Sequence, residues 1–355
     1  MIMRNIIAYS AAALLGAMSL ASCDKEAAVQ APSEPIRLEV SVTGAAGTRA
    51  TGLTFAQGSN QSSEEATVNT LQVLIFDGDR LDGYASVEKA KELTVTCTSG
   101  SRAVYAVVNG PDLSKVSSPA GITGQAATLR GSVSDFEMWG SVTETLAKDG
   151  KVVVPVDRMA ARIVLRGIKN GLTTPALADD FTVDAVYLTN VAGDANYGGA
   201  RDYTVSKWYN RRGYESANNL GSVTYDAVSK KIASGETLSD AHFFYCMPNA
   251  NGIKVGGPWS PRLSRLVIRC TVAGKVYDYP VDLTRNGQPI VIERNHSYEI
   301  NLLNITRLGN EDNGSEPNDN NPDDIDEEKP VEGVDQGFEV EVVDWTVETI
   351  NPAGF

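Results

Sequence analysis

The chain has 355 residues, of which 42% are hydrophobic, and a formal net charge of −14. A chain of this length has room for about two domains with ordinary apolar cores. The acidic balance offers no basic stripe for phosphate contacts, which excludes nucleic acid as a partner. Gly, Val, Thr and Tyr recur in short runs separated by turn residues, a pattern typical of all-β domains.

The N-terminus has the pattern of an export signal. Residues 6–20 are apolar but too short for an ordinary membrane span, and Leu20-Ala21-Ser22-Cys23 closes the segment. Small residues before a cysteine at this point resemble a bacterial lipobox. Residues 1–22 are therefore predicted to be a lipoprotein signal peptide, with Cys23 as the lipid attachment site.

A separable first strand follows. Residues 36–42 alternate apolar and polar side chains, which predicts a strand that buries one face. The inward residues of this strand are Ile36, Leu38, Val40 and Val42. The next loop consists of small residues around a single basic residue, Arg49, and exposed loops of this kind are good protease sites. We expect cleavage between Arg49 and Ala50, so that residues 23–49 form a lipidated propeptide.

Two β-sandwich domains are predicted from there. Strands are expected at 67–77, 102–109 and 151–156, with a short helix or 3₁₀ turn within 128–137. The pattern then restarts: residues 157–168 and 181–191 follow one another much as the first two strands do, which indicates an internal repeat. The domains are placed at 50–157 and 158–308, with further strands at 242–247, 264–272, 275–282 and 298–308.

No catalytic or metal-binding constellation is present in the sequence. His242 and His296 have no neighbouring ligands at metal spacing and are assigned structural roles. Cys97, Cys246 and Cys270 each lie in a strand-like run, which indicates small buried hydrophobes, although one disulfide stays open. No enzyme activity, metal or cofactor is therefore expected.

A dense mixture of aromatic and basic residues occupies 197–214. Such mixtures can bind glycans or proteins, but a loop held by its own aromatic side chains is the favoured interpretation.

The chain ends in an unusual arrangement. Residues 309–337 form an acidic run in which Lys329 is the one basic residue, and this composition predicts a flexible linker. Residues 338–355 follow, and the pattern of their first part predicts a strand. Its apolar row is Phe338, Val340, Val342, Trp345 and Val347, with a shift of phase at Val342–Val343. We expect this strand to be donated to another copy of the chain.

The order of these features resembles the fimbrillins, the type V pilins of Bacteroidales. The resemblance rests on Cys23, Thr48-Arg49-Ala50 and the strand-like runs VNTLQVLIF, RMAARIVL, HFFYCMPN and IERNHSYEINLLN. It implies two transthyretin-like β-sandwich domains and export to the outer membrane as a lipoprotein. It also implies processing after Arg49 by an arginine-specific protease, which releases the first strand.

The resemblance further implies head-to-tail polymerisation into an extracellular fimbrium by C-terminal strand exchange, in support of adhesion and biofilm formation. Other fimbrial subunits, and a host protein or glycan, would be additional partners. Because the chain has both a cleavable loop and a donor tail, a stalk subunit is the first choice. A tip or accessory adhesin, and a monomeric surface lipoprotein whose tail completes its own sheet, are the alternatives.

Overall fold

The computed structural model describes residues 34–43, 64–199, 203–211, 216–250, 264–285, 288–311 and 341–344. The signal peptide, the 44–63 loop and most of the acidic linker lie outside these ranges. So do the following predicted site residues: Cys23, Arg49, Ala50, Phe338, Val340, Trp345 and Val347.

Strands dominate the described part of the chain. In chain order they are β1 (Pro35–Thr43), β2 (Thr70–Asp77), β3 (Arg80–Glu88), β4 (Glu92–Thr98), β5 (Gly100–Val108), β6 (Ala126–Thr128), β7 (Met138–Leu146), β8 (Lys151–Pro155), β9 (Asp157–Arg158), β10 (Ala161–Leu165), β11 (Ile168–Asn170), β12 (Phe181–Thr189), β13 (Val191–Ala192), β14 (Asp194–Asn196), β15 (Trp208–Tyr209), β16 (Tyr225–Lys231), β17 (Thr237–Leu238), β18 (His242–Cys246), β19 (Asn249–Ala250), β20 (Arg265–Val272), β21 (Lys275–Asp282), β22 (Thr284–Arg285), β23 (Gln288–Pro289), β24 (Val291–Ile292), β25 (His296–Ile300), β26 (Leu303–Ile305), β27 (Asn310–Glu311) and β28 (Glu341–Asp344).

Helical structure is limited to short pieces within the described ranges. Two α-helices span Pro119–Thr123 and Pro175–Ala178, and both begin with proline, whose fixed φ suits the first helical turn. A 3₁₀ turn spans Val133–Asp135, inside the stretch where the sequence predicts one. Among the described residues there is no helix with the length and hydropathy needed to span a membrane.

The N-terminal sandwich is built from two sheets. One has the order β4-β1-β8 and the other β3-β2-β5-β7-β9. Strand β2 is buried along both faces, which explains its continuous apolar run, whereas β1 buries only every second residue. The inward residues of the two sheets form one apolar core that contains Leu38, Val73 and Val104.

The C-terminal sandwich repeats this plan. Its sheets have the orders β18-β10-β25-β28 and β16-β12-β20-β21-β27, and a smaller sheet, β17-β11-β26, has its strands in the matching order. Strand β10 pairs antiparallel with β18 and parallel with β25, as β1 pairs antiparallel with β4 and parallel with β8. The internal repeat predicted from the sequence thus has a counterpart in the topology, with β1 and β10 at equivalent positions.

The sandwiches share buried surface. Leu74, Phe76 and Val107 lie on the outer face of the N-terminal sheet and belong to the same apolar cluster as Phe181 and Tyr298 of the C-terminal sandwich. The described residues from Glu34 onward accordingly belong to one compact unit.

Candidate strand-acceptor groove

Strand β1 lies in the middle of its sheet. It pairs antiparallel with β4 over Pro35–Ser41 and parallel with β8 over Glu39–Thr43. Both edges of its backbone are therefore hydrogen bonded, and β4 and β8 have no direct pairing with each other. We call the space between β4 and β8, which β1 fills, the acceptor groove.

The alternating apolar residues of β1 point into the sandwich core. Ile36, Leu38, Val40 and Val42 are at most 6% exposed. They pack in the cluster that also contains the groove-wall residues Val95, Cys97, Val152 and Val154. At roughly 1.5–3 kcal/mol for each large apolar side chain, this burial contributes on the order of 6–12 kcal/mol before ordering costs.

The outer rim of the groove carries polar side chains. Glu39 of β1 is paired with Lys151 of β8, and Lys151 Nζ lies 2.8 Å from Glu39 Oε1. The hydrogen bond from this ammonium to the Glu39 carboxylate raises the pKa of Lys151. On the β4 side Ser41 is paired with Glu92, so the rim has a cation at one position and a carboxylate two residues further on.

A cysteine stands at one end of the groove. Cys97 of β4 is directly opposite Ile36 in the antiparallel register and is only 3% exposed. Desolvation by burial raises the pKa of its thiol to about 11. Cys97, Cys246 and Cys270 are all buried and none forms a disulfide within the described residues, which agrees with the interpretation of small buried hydrophobes.

The C-terminal strand docks on the second sandwich. In β28, Glu341–Asp344 pairs antiparallel with β25, and Val342 is opposite Tyr298. This is an edge position, since β28 is the last strand of its sheet. In this conformation the tail therefore adds to its own chain, at the strand equivalent to β8.

A buried charge network holds the segment that follows the Arg49 loop. Glu65 is fully buried and lies 3.2 Å from Arg162 Nη1, and Tyr245 Oη donates a hydrogen bond to the same carboxylate. The guanidinium of Arg158 donates to the Glu65 backbone oxygen at 3.1 Å, and desolvation lowers the pKa of Arg158 to about 10. Burial raises the pKa of Tyr245, and the Glu65 carboxylate raises it further.

The same network reaches the strand that receives the tail. Arg162 Nε donates to Ser297 Oγ at 3.1 Å, and Arg166 Nη2 lies 2.6 Å from the buried Glu299 carboxylate. Ser297 and Glu299 belong to β25. Glu65 was not predicted from the sequence. The signal that could have found it is an acidic residue beside an apolar one, Ala66, five residues before the buried strand β2.

The histidines have local partners. His242 is buried with Nδ1 2.7 Å from Asp226 Oδ2, and His296 Nδ1 lies 2.7 Å from the Arg294 backbone oxygen. These contacts agree with the structural roles assigned from the sequence.

The aromatic 197–214 segment is packed over its described parts. Tyr197 is buried and donates to Glu137, and Trp208-Tyr209 forms β15 against β13. Burial and the Glu137 carboxylate raise the pKa of Tyr197. Tyr197 and Tyr209 are therefore buried against the rest of the fold, and the role of the segment stays a prediction.

Solved structures share this fold. A proposed cell adhesion protein of Bacteroides eggerthii matches with a TM-score of 0.59 and 20% identity, over 88% of this chain and 96% of that chain. One from Parabacteroides distasonis matches with a TM-score of 0.55 and 16% identity, over 88% and 100%. A fimbrilin of Porphyromonas gingivalis matches with a TM-score of 0.49 and 16% identity, over 77% and 91%.

At these identities the likeness establishes the fold. The first two matches extend over most of both chains, and they confirm the mainly β fold predicted from the sequence. The resemblance expected from the sequence is confirmed at that level. No model of a known protein family matches the sequence, and no curated protein matches it significantly.

Proposed function

We propose that this chain is a structural subunit of a surface fimbrium, exported as a lipoprotein, cut after Arg49 and polymerised by strand exchange. One observation carries the proposal: β1 is integral to the first sandwich, yet it is joined to the rest only through the loop that contains Arg49. Its counterpart β10 lies between β9, which ends three residues before it, and β11, which begins three residues after it. A single cut in the 44–63 loop would therefore make β1 separable, whereas β10 stays tethered on both sides.

Loss of β1 would leave a groove that favours another strand. Its walls would expose unpaired backbone groups together with apolar side chains, and edges of this kind recruit a strand from another chain. The tail sequence FEVEVV has the same alternation as β1. A coil as long as the acidic linker has a typical end-to-end distance of about 30 Å, which is enough to reach a neighbouring subunit.

The acceptor groove offers a strand two hydrogen-bonding edges, whereas the edge of the β25 sheet offers one. Over its four described residues, Glu341–Asp344, the tail is paired with β25 along one edge, whereas β1 in the groove is paired along both edges. Each copy would donate one strand and accept one, and such head-to-tail contacts build filaments. The tail on β25 would then be its resting position in the precursor.

A second function has a specific observation in its favour. Because β28 already pairs with β25, the tail could complete the sheet of its own chain in a monomeric surface lipoprotein. The two functions differ in what the tail does after β1 has been removed.

Processing of the folded precursor distinguishes them. Limited trypsin treatment is expected to give a chain that begins at Ala50 and then forms ladders on gels run without denaturant. Arg49→Gln should prevent both events, and deletion of residues 335–355 should allow the cut but abolish the ladder. Processed protein that stays monomeric, or a tail-less variant that still polymerises, would contradict strand exchange.

On this proposal, the location at the cell surface implies the remaining partners. Cys23 would anchor the precursor in the outer membrane, an arginine-specific protease would release it, and other fimbrial subunits would meet its free ends. A tip or accessory adhesin of the same fold would instead use its loops to contact a host protein or glycan.

A further inference from the structure

We propose that a cut at Arg49 does not by itself free β1: the fragment that ends at Arg49 stays in the acceptor groove until the tail of a second copy displaces it. This inference rests on the proposed function and adds to it the order of its steps. It follows from the way in which β1 is held and from the part of the chain that holds it.

The backbone of β1 is hydrogen bonded from one end to the other. Besides the pairing with β4 and β8, Ser99 N donates to Glu34 O at 2.8 Å and Val156 N donates to Thr43 O at 2.9 Å. These partners belong to β4, β8 and the residues beside them, which follow the 44–63 loop in the chain. A cut in that loop therefore leaves all of these bonds in place.

The side chains of β1 are held in the same way. Its four inward residues are buried among those of the groove walls, and Glu39 pairs with Lys151 at the rim. If β1 left alone, the core beneath it would be exposed to water and both walls would lose their backbone partners, and both changes are unfavourable. An incoming strand that takes over these positions as β1 leaves avoids both costs. Replacement by another strand is therefore the favoured way out of the groove.

The cut changes the competition for the groove and leaves the contacts of β1 unaltered. In the uncut chain, β1 is tethered by residues 44–63, and a short tether gives an attached strand an effective concentration on the order of millimolar. A tail from a second copy, present at its ordinary concentration, competes poorly with that. Once the tether is cut, a displaced fragment is diluted into solvent and does not return. The exchange then runs in one direction.

The order of the steps has a consequence for the anchor. Cys23 precedes β1 in the same fragment. If Cys23 carries the lipid, a cut subunit stays on the membrane through the non-covalent contacts of β1. Each exchange then detaches one subunit from its anchor as that subunit receives the tail of a neighbour, so no subunit is lost to the medium between the cut and its incorporation.

The concentration dependence of release tests the proposal on the full chain. After limited trypsin treatment, the free β1 fragment should appear in step with the ladder, at a rate that rises with the concentration of cut protein, because a second copy displaces it. Size-exclusion chromatography under native conditions measures the free fragment. Release that precedes the ladder at a rate independent of concentration would overturn the proposal. Absence of the cut, or of any ladder, would instead be failure of the proposed function itself.

A tail-less variant isolates the first step. Deletion of residues 335–355 removes the displacing strand and leaves the loop in place, so the two products of the cut should elute together and separate only in denaturant. A synthetic peptide of residues 335–355, added in excess, should then displace the β1 fragment. The matched control is the same peptide with Val340→Asp and Val342→Asp, which should leave the complex intact. A fragment that leaves without the peptide, or that the unaltered peptide does not displace, contradicts the proposal.

Cys97 reports whether the groove is filled. Its thiol lies on the groove wall, directly opposite Ile36, and the residue is only 3% exposed while β1 is in place. In the tail-less variant, the cut alone should leave the rate at which a maleimide labels Cys97 unchanged, and Cys97→Ala assigns the label to this residue. Faster labelling directly after the cut would show an open groove and overturn the proposal.

A substitution in β1 should alter assembly although β1 is absent from the product. Val40→Ala removes two methyl groups from a fully buried position of the fragment, so release and ladder formation should be roughly tenfold faster. Ser41→Ala, at the next residue and on the outward side of the strand, should leave both rates unchanged. Equal rates for Val40→Ala and the unmodified chain would contradict the displacement of a bound β1.

Discussion

Glu65 shows how one residue can fix the path of a chain. Its carboxylate is buried between Arg162 and Tyr245, both of the C-terminal sandwich, although Glu65 itself precedes β2 of the N-terminal one. A buried carboxylate is tolerated only where cations and hydrogen-bond donors compensate it. The segment after the 44–63 loop is therefore anchored at Glu65. If the proposed cut at Arg49 occurs, this anchor would keep residues 65 onward in place.

Loss of this carboxylate should be costly. Glu65→Ala removes the carboxylate from its buried pair with Arg162, and breaking a buried pair by removing one partner costs about 3–5 kcal/mol. Urea unfolding followed by circular dichroism is expected to show this loss. Glu64→Ala, at the adjacent exposed residue, should change the free energy of unfolding by less than about 0.5 kcal/mol. Equal effects of the two substitutions would argue against the anchor.

At the scale of elements, the sequence pattern predicts where a strand lies better than it predicts where the strand begins and ends. The prediction for β1, at residues 36–42, agrees with the observed Pro35–Thr43, because an alternating strand with one buried face has an unambiguous signal. Residues 157–168, taken together as one unit of the repeat, are instead the three strands β9, β10 and β11. All five residues of β10 are buried, and a continuous buried run does not reveal where pairing stops.

Strand β7 contains a close approach that only the fold explains. A Cβ added to Gly140 would lie 1.8 Å from the backbone oxygen of Pro155, where β8 ends against β7. Since backbone must shift to relieve such a clash, Gly140→Ala should destabilise the protein by about 1–3 kcal/mol.

Thermal unfolding provides the measurement for this glycine. Gly131→Ala is the control, because its nearest atom, Leu220 Cδ2, would be 4.0 Å away. The Gly140 variant is expected to melt several degrees below the control. If the two variants melt together, β8 is free to move away from β7.

In the molecule as a whole, the two sandwiches contribute side chains to one apolar cluster. The outer face of the β2–β5 sheet contributes Leu74, Phe76 and Val107 to the cluster of the C-terminal sandwich. At the junction, Asn295 Nδ2 donates to Asp157 at 3.0 Å and Arg294 lies over the ring of Trp139 at 5.5 Å. If the proposed function holds, a filament of such subunits would transmit tension through this shared core as well as through the covalent connection.

Calorimetry can test whether the shared core couples the sandwiches. Because neither sandwich can lose its fold without exposing this surface, we expect one unfolding transition for the 355-residue chain. Phe76→Ala should lower the midpoint of that single transition. Two resolved transitions, of which the substitution moves only one, would mean that the sandwiches unfold independently.

The sequence by itself determined a one-sided first strand and the restart of the strand pattern, and it predicts a loop with one arginine and a final strand behind an acidic linker. These features depend on residue order alone, since alternation and composition are local properties. Only the tertiary structure decided that β1 lies between β4 and β8, that Glu65 is held by Arg162, and that β28 rests on β25. Such pairings join residues far apart in the chain, and their energy comes from burial and charge compensation that no local pattern encodes.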